Sequence, residues 1–182
     1  MNLDEIRTSL RIDELREKVK GDAQPLPPPA TRNAIGLAAL GGILAIALVA
    51  GLTQGFKDHP LILGSLGATC VLVFGFPDSP FSQPRNVVGG HFFSSLVGLL
   101  FLEVFNYHWW TAALAVGGAI AVMMATRTVH PPAGANPVIV YLGVLPQWKF
   151  LWFPTLFGAI LVVLVALLFN NMTRDARYPK YW

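Results

Sequence analysis

The sequence predicts an all-α, polytopic membrane protein of six transmembrane segments. They form two inverted three-helix repeats, with the second and fifth helices broken and both termini cytoplasmic. Three observations predict this. Apolar residues make up 54% of the 182-residue chain against 13% charged, whereas a soluble domain needs charge over its whole surface. The charges bunch at 2–22, 57–58 and 174–180, and otherwise stand singly between long uncharged runs. Counted as crossings, those runs put nearly all the basic residues on one side.

The chain opens with a cytoplasmic arm over 1–32. Leu3, Ile6, Leu10, Leu15 and Val19 fall at roughly helical spacing among charges, and the stiff linker Gln24-Pro25-Leu26-Pro27-Pro28-Pro29 follows. The arm reads as a solvated helix or a partly disordered arm, with a helix lying on the cytoplasmic leaflet or touching a subunit as the alternative. Acids are mixed with the bases and no apolar stretch begins before residue 33, so this is not a cleavable secretory signal.

A bilayer core of about 30 Å takes about 20 helical residues. Windows of that order lie at 33–56, 60–77, 87–105, 109–126, 130–146 and 150–169. The first and sixth are long and aliphatic. The second is short and glycine-interrupted, the third carries His91 and Glu103 near its ends, and the fourth is rich in Ala, Gly and Met. The fifth is short and opens on two prolines. Together they make a transmembrane domain over 33–172, with repeats at about 33–106 and 107–172 and a cytoplasmic tail over 173–182.

Charge sets the orientation. With a cytoplasmic N-terminus and six crossings, Arg7, Arg11, Arg16, Lys18, Lys20, Arg32, Arg85, Arg127, Arg174, Arg177 and Lys180 lie inside, and only Lys57 and Lys149 lie outside. With four crossings, Lys57 and Arg85 would share a side and the bias would degrade. Tyr107, Trp109, Trp110, Trp148 and Trp152 cluster at the outer ends, as interfacial aromatics do.

The two short segments repeat one another. Gly67-Ala68-Thr69 lies over Gly134-Ala135-Asn136, and each is followed by an apolar run of only about half a membrane thickness. Three crossings per half is odd, so the second half runs upside down relative to the first. Interrupted helices inside a bilayer are tolerated where they are buried in protein or line a cavity. His130 and Asn136 each precede a proline, which pushes them out of the helical region. Thr69 and Asn136 are then the expected N-caps of two half-helices that converge at mid-membrane. Their free N–H groups and partial positive charge would suit a small anion without any buried lysine. The alternative is that these small residues simply let helices pack closely.

His130-Pro131-Pro132-Ala133-Gly134-Ala135-Asn136-Pro137 resembles the signature of the HPP family of bacterial and plastid membrane proteins. Pro77-Asp78-Ser79-Pro80 and Ser82-Gln83-Pro84-Arg85-Asn86-Val87-Val88-Gly89-Gly90-His91 resemble it too, and the likeness covers about residues 30–172. Ala133 stands where family signatures often carry Gly, and Asn136 where Thr is common. The resemblance implies a compact transmembrane bundle. Some members are similar to nitrite transporters that also handle nitrate, which implies a bacterial (including cyanobacterial) inner membrane or a plastid inner envelope.

The expected substrate-binding residues are therefore Gly67, Ala68, Thr69, His130, Gly134, Ala135 and Asn136. Arg85, His91, Glu103 and His130 are the candidates for gating or proton coupling, since ionisable groups in a membrane segment point to function by default. A structural role competes for each. Arg85 could hold its corner through Asp78, His130 could fix the Pro-Pro turn, and His91 and Glu103 could merely reach the interface.

Other chemistries find no footing in the sequence. The four histidines, at 59, 91, 108 and 130, lack metal-ligand spacing, and Cys70 is the single cysteine. No nucleophile–base pattern or nucleotide-binding loop is present, so neither an enzyme nor a cofactor is expected. The net charge is +3, but the bases sit at the ends of apolar runs, unlike a nucleic-acid surface. The expected partners are the lipid bilayer, a small anion and further copies in a homo-oligomer. Gly36, Gly41, Gly42, Gly117 and Gly118 offer close-packing surfaces for it or within the protomer. The expected function is a transporter or channel for a small monovalent anion, nitrite first and nitrate second. The alternatives are a membrane scaffold or sensor that recruits a partner through the N-terminal arm, and a channel for a small neutral solute.

Overall fold

The chain folds as two units, one from its charged start and one from its apolar remainder. A computed structural model describes residues 3–55, 63–143 and 148–182, as two units, Met1–Thr31 and Arg32–Trp182. The first unit is α1 (Leu3–Val19), laced by Lys18–Glu14 at 2.5 Å, Arg16–Asp13 at 3.6 Å and a Lys20–Glu17 pair. It ends where Gly21 takes a left-handed φ of +71°. Ile12, Leu15 and Val19 are exposed. The side chains of Leu3, Ile6 and Leu10 lie outside the described residues.

In the second unit, an unbroken run of Ala, Gly, Leu and Ile makes α2 (Arg32–Gly55). Its buried seam is narrow, with Gly41, Ala45 and Val49 four apart. Ile35, Leu40, Ile43, Leu44 and Leu48 are exposed on the rest. A helix that is apolar on its exposed face as well as its buried one has lipid for its solvent. Arg32–Leu52, Pro84–Phe105 and Leu151–Thr173 are long and apolar enough to cross a membrane, while Gly64–Gly75 and Trp109–Ala125 are shorter apolar helices. The described residues of this unit contain helices and turns and no strand.

α3 (Gly64–Cys70) widens into a π-helical stretch, Val71–Gly75. Side chains satisfy carbonyls there. Asn170 Nδ2 donates to the Val73 carbonyl at 2.9 Å, and Ser82 Oγ donates to those of Leu72 and Phe76 at 3.0 and 2.7 Å. A tight loop containing the 3₁₀ turn Pro80–Ser82 leads to α4 (Pro84–Phe105), which has proline in its first turn, where a missing N–H costs nothing. α5 (Trp109–Ala125) opens on a capping box between His108 and Thr111. A 3₁₀ stretch, Pro131–Ala135, runs directly into α6 (Asn136–Tyr141). A second π-helical stretch, Leu151–Leu156, kinks at Phe153 next to Pro154 and continues as α7 (Phe157–Thr173).

The expected breaks are placed differently. Residues 67–69 lie within a continuous helix that begins at Gly64, with Leu63 as its extended N-cap. Residues 56–62 lie outside the described residues, Lys57 among them, as do 144–147. In the fifth segment the extended residue is His130 (φ −137°, ψ 100°), as expected before proline. Asn136 is helical at φ −63° and ψ −41°. Pro137 restrains Asn136 without unwinding it, because the 3₁₀ turn before it already carries the chain in helical sense. Neither Thr69 nor Asn136 is an N-cap.

α4 is the central post, with α5 on one side and the Pro131–Tyr141 segment on another. Two glycines make the second contact close. A Cβ on Gly90 would meet the His130 Cβ at 2.6 Å, and one on Gly98 would meet the Pro137 Cα at 2.8 Å. Of the other small residues, Gly41 and Gly118 pack within this unit, against Phe74 and Val97.

Candidate functional site

Polar side chains gather in the middle of α4, where the sequence is otherwise apolar. His91, Ser94 and Ser95 share one face of the helix, three and four residues apart, and all are fully buried. α3 brings Ser65 and Thr69 against that face, the 3₁₀ turn brings His130, and α6 brings Asn136. All of these are 2% exposed or less.

One hydroxyl and one imidazole hold the group together. Thr69 Oγ1 lies 3.0 Å from His91 Nε2, 2.8 Å from His130 Nε2 and 2.9 Å from the Ser65 carbonyl. The other nitrogen of the His91 ring, Nδ1, is 3.0 Å from the Asn136 amide nitrogen, which also donates to Ser95 Oγ at 2.9 Å. His91 therefore bridges Thr69 and Asn136, the two positions that the repeated Gly-Ala motif singles out. The rings of His91 and His130 stand 5.2 Å apart, tilted by 55°. His130 Nδ1 reaches the Phe81 carbonyl at 2.7 Å, and Ser94 Oγ donates to the Ala133 carbonyl at 2.6 Å. Among the described residues, Ser65 Oγ and Asn136 Oδ1 have no hydrogen-bond partner. A buried polar atom left unpaired costs about 1–3 kcal/mol.

Of the expected site residues, Thr69, His91, His130 and Asn136 come together. Ala68 and Ala135 are exposed on the opposite sides of their helices, and Gly67 and Gly134 are part-exposed beside them. They lie in the helical turns that lead into Thr69 and Asn136. Glu103 is exposed near the far end of α4, two turns beyond Ser95. Arg85 is exposed and donates to the Thr126 carbonyl at 3.1 Å, which ties the start of α4 to the end of α5. Its expected partner Asp78 instead pairs with Arg174 and, at 3.0 Å, with Lys180. Ser65, Ser94 and Ser95 are additions from the structure. The signal in the sequence was the spacing of the two serines from His91, one helical turn on the same face.

The loop that holds the Phe81 carbonyl is itself held by the end of the chain. Tyr178 OH donates to the Ser82 carbonyl at 2.7 Å, Tyr181 OH to the Pro80 carbonyl at 3.0 Å, and the Lys180 amide to Gln83 Oε1 at 2.7 Å. Gln83, fully buried, donates in turn to the carbonyls of Pro77 and Ser79 at 3.0 and 2.8 Å. Among the described residues, no group of three or more His, Cys, Asp and Glu side chains is arranged to hold a metal ion.

Comparison with known proteins places this geometry in a family. The profile described as HPP, transmembrane region, matches residues 27–179. A transmembrane protein of Dictyostelium discoideum is 39% identical over 166 residues, covering 86% of this chain and 58% of that protein. A second transmembrane protein of the same organism is 36% identical over 148 residues, covering 78% of this chain and 48% of its own length. The chain spans about half the length of the curated relatives it matches. Their source gives no support to a bacterial inner membrane, and integration into a membrane is the location that stands. No solved structure matches the chain.

Proposed function

The chain belongs to the HPP transmembrane family, and on that premise we propose that it transports a small monovalent anion, nitrite first and nitrate second, through the site around Thr69 and Asn136. The observation that carries the reading is the bridge itself. Thr69 and Asn136 are held on the two nitrogens of His91, at 3.0 Å each, in the buried centre of an apolar bundle. Ionisable and polar groups gathered inside a membrane bundle point to a substrate or proton pathway by default.

The donors suit the proposed substrate. The Thr69 and Ser65 hydroxyls, the Asn136 amide and the imidazole N–H groups are neutral hydrogen-bond donors, and no lysine or arginine belongs to the cluster. Such a set binds one negative charge at the cost of rearranging its internal bonds. It provides too little compensation for the two charges of sulfate or phosphate. Helix dipoles, the basis of the sequence expectation, have a smaller part here, because Thr69 lies within α3. In this reading the bundle makes six crossings in two inverted halves, with α2–α4 as one half and α5–α7 as the other, and the site lies where the halves meet.

Uptake of labelled nitrite into proteoliposomes tests the proposal. Thr69→Leu and Asn136→Leu should each reduce flux to that of protein-free vesicles, while the variants still elute as the wild-type species in detergent. Nitrite flux that survives both substitutions would remove the site.

A further inference from the structure

The hydrogen bonds of the cluster admit two complete proton arrangements on one set of heavy atoms. The Asn136 amide nitrogen only donates, so His91 Nδ1 accepts from it at 3.0 Å and the His91 proton sits on Nε2. That proton points to Thr69 Oγ1, 3.0 Å away. At the other end, the Phe81 carbonyl only accepts, so His130 Nδ1 donates to it at 2.7 Å. Between the two rings, the Thr69 hydroxyl has two acceptors in reach, His130 Nε2 at 2.8 Å and the Ser65 carbonyl at 2.9 Å.

With His130 neutral, the Thr69 proton goes to His130 Nε2, and every donor from Asn136 to Phe81 points the same way. With a second proton on His130, its Nε2 becomes a donor. The Thr69 hydroxyl then turns to the Ser65 carbonyl, and its oxygen accepts from both imidazoles. Rotation of one hydroxyl separates the two states, and neither leaves a bond of the chain unmade.

Among the described residues, the surroundings supply no other charge. Ser65 and Thr69 face the imidazoles from α3, Ser94 and Ser95 from α4, and Asn136 from α6. The buried faces of α5 and α7 carry no titratable side chain. Cys70 lies towards Gly42 of α2, and the Tyr141 ring meets Tyr107. Asp78 pairs with Arg174 and Lys180, and Arg85 donates to the Thr126 carbonyl. An anion stripped of water here has no fixed cation to meet, and an uncompensated buried charge costs several kcal/mol.

We infer that the site carries one proton with each anion, held on His130, so that transport is an electroneutral anion–proton symport. This rests on the transport reading above and adds its coupling. On one side of the membrane, an aqueous proton joins His130 Nε2 as the anion enters, and the Ser65 hydroxyl, unpartnered in the resting cluster, donates to the anion. On the other side both leave, and His130 returns to its neutral Nδ1–H form. No covalent bond to the anion forms, and the net charge moved is zero.

The experiment uses the full chain in vesicles loaded with a pH-sensitive dye, with labelled nitrite outside and the membrane potential clamped by valinomycin and potassium. Leak of nitrous acid through protein-free vesicles is subtracted. Uptake should acidify the lumen by one proton per anion and ignore a potential of either sign. An inward proton gradient should drive about tenfold accumulation per pH unit, the ratio set by one-to-one coupling. His130→Gln should abolish the protein-dependent proton movement. Nitrite flux that follows the potential and moves no proton would overturn the coupling and leave the transport reading standing. One proton per anion in the His130→Gln protein would overturn the assignment to His130. Flux no greater than in protein-free vesicles would overturn both readings together.

Discussion

Thr69 serves three neighbours with one hydroxyl, and its own helix makes that affordable. The Ser65 carbonyl, one turn back, is the usual acceptor for a threonine hydroxyl inside a helix, and Thr69 turns to it when His130 Nε2 carries a proton. The Thr69 oxygen stays within reach of both imidazoles whichever way the proton points. Thr69→Val keeps the shape and removes the oxygen, leaving a ring nitrogen on each histidine unpaired. It should lower stability by about 1–3 kcal/mol, read as a drop in the thermal midpoint in detergent. Thr69→Ser should stay close to wild type, and equal midpoints for Val and Ser would show that the hydroxyl holds nothing together. The sequence marked Thr69 and Asn136 through their repeated Gly-Ala context, and it marked both histidines. Their juxtaposition was hidden, because which imidazole nitrogen meets which hydroxyl depends on packing between segments 22 to 61 residues apart. The spacing also misled in one respect. Glycine before a polar residue reads as a helix break, yet α3 runs straight through it.

Among the elements, α4 decides how closely the rest can gather. Its glycines at 90 and 98 are notches, the first for the chain at Thr128 and His130 and the second for Pro137, and they set how closely that stretch, with Asn136 on it, approaches Ser95. Gly98→Val would drive new methyls into the Pro137 backbone. It should cost about 1–3 kcal/mol or more and lower the thermal midpoint in detergent, whereas Gly117→Val, where a Cβ meets nothing within 4 Å, should not. Equal effects at the two positions would show that the notch is not needed. Element type was legible from hydropathy for α2, α4, α5 and α7, because an apolar run of that length has few alternatives in lipid. The ends of the short helices were not legible, since side chains from elsewhere finish them. Ser82 and Asn170 satisfy the carbonyls of the π-helical stretch after α3, and no local pattern around residue 72 foretells a donor 97 residues from Val73.

At the scale of the whole molecule, the end of the chain returns to the loop beneath His130. Burial is the largest single influence on Asp78 and raises its pKa, but the hydrogen bonds and charges of Lys180 and Arg174 together outweigh it, so its carboxyl titrates below the ordinary carboxylate value. A depressed pKa means that the ionised form stabilises the folded contact. That contribution is present above the unfolded value of about 3.9 and is lost as pH falls through the lower, folded value. Amide exchange at Tyr178 and Lys180, corrected for intrinsic rates, should therefore speed up as pH drops below the ordinary carboxylate range. In Asp78→Asn it should already be fast at neutral pH, and unaltered protection in that variant would show that the carboxylate does not hold the tail. The docking of the tail was not legible in the sequence, because its polar residues look like any solvated terminus. The span of the polar cluster along the chain bears on biogenesis. Thr69 is synthesised 61 residues before His130, and His91 is synthesised 45 before Asn136. Early segments therefore enter the bilayer with hydroxyls and an imidazole that have no lasting partner, and they must be sheltered by the insertion machinery or by water until the later ones arrive. Only when Asn136 has joined the earlier segments can the whole polar centre close.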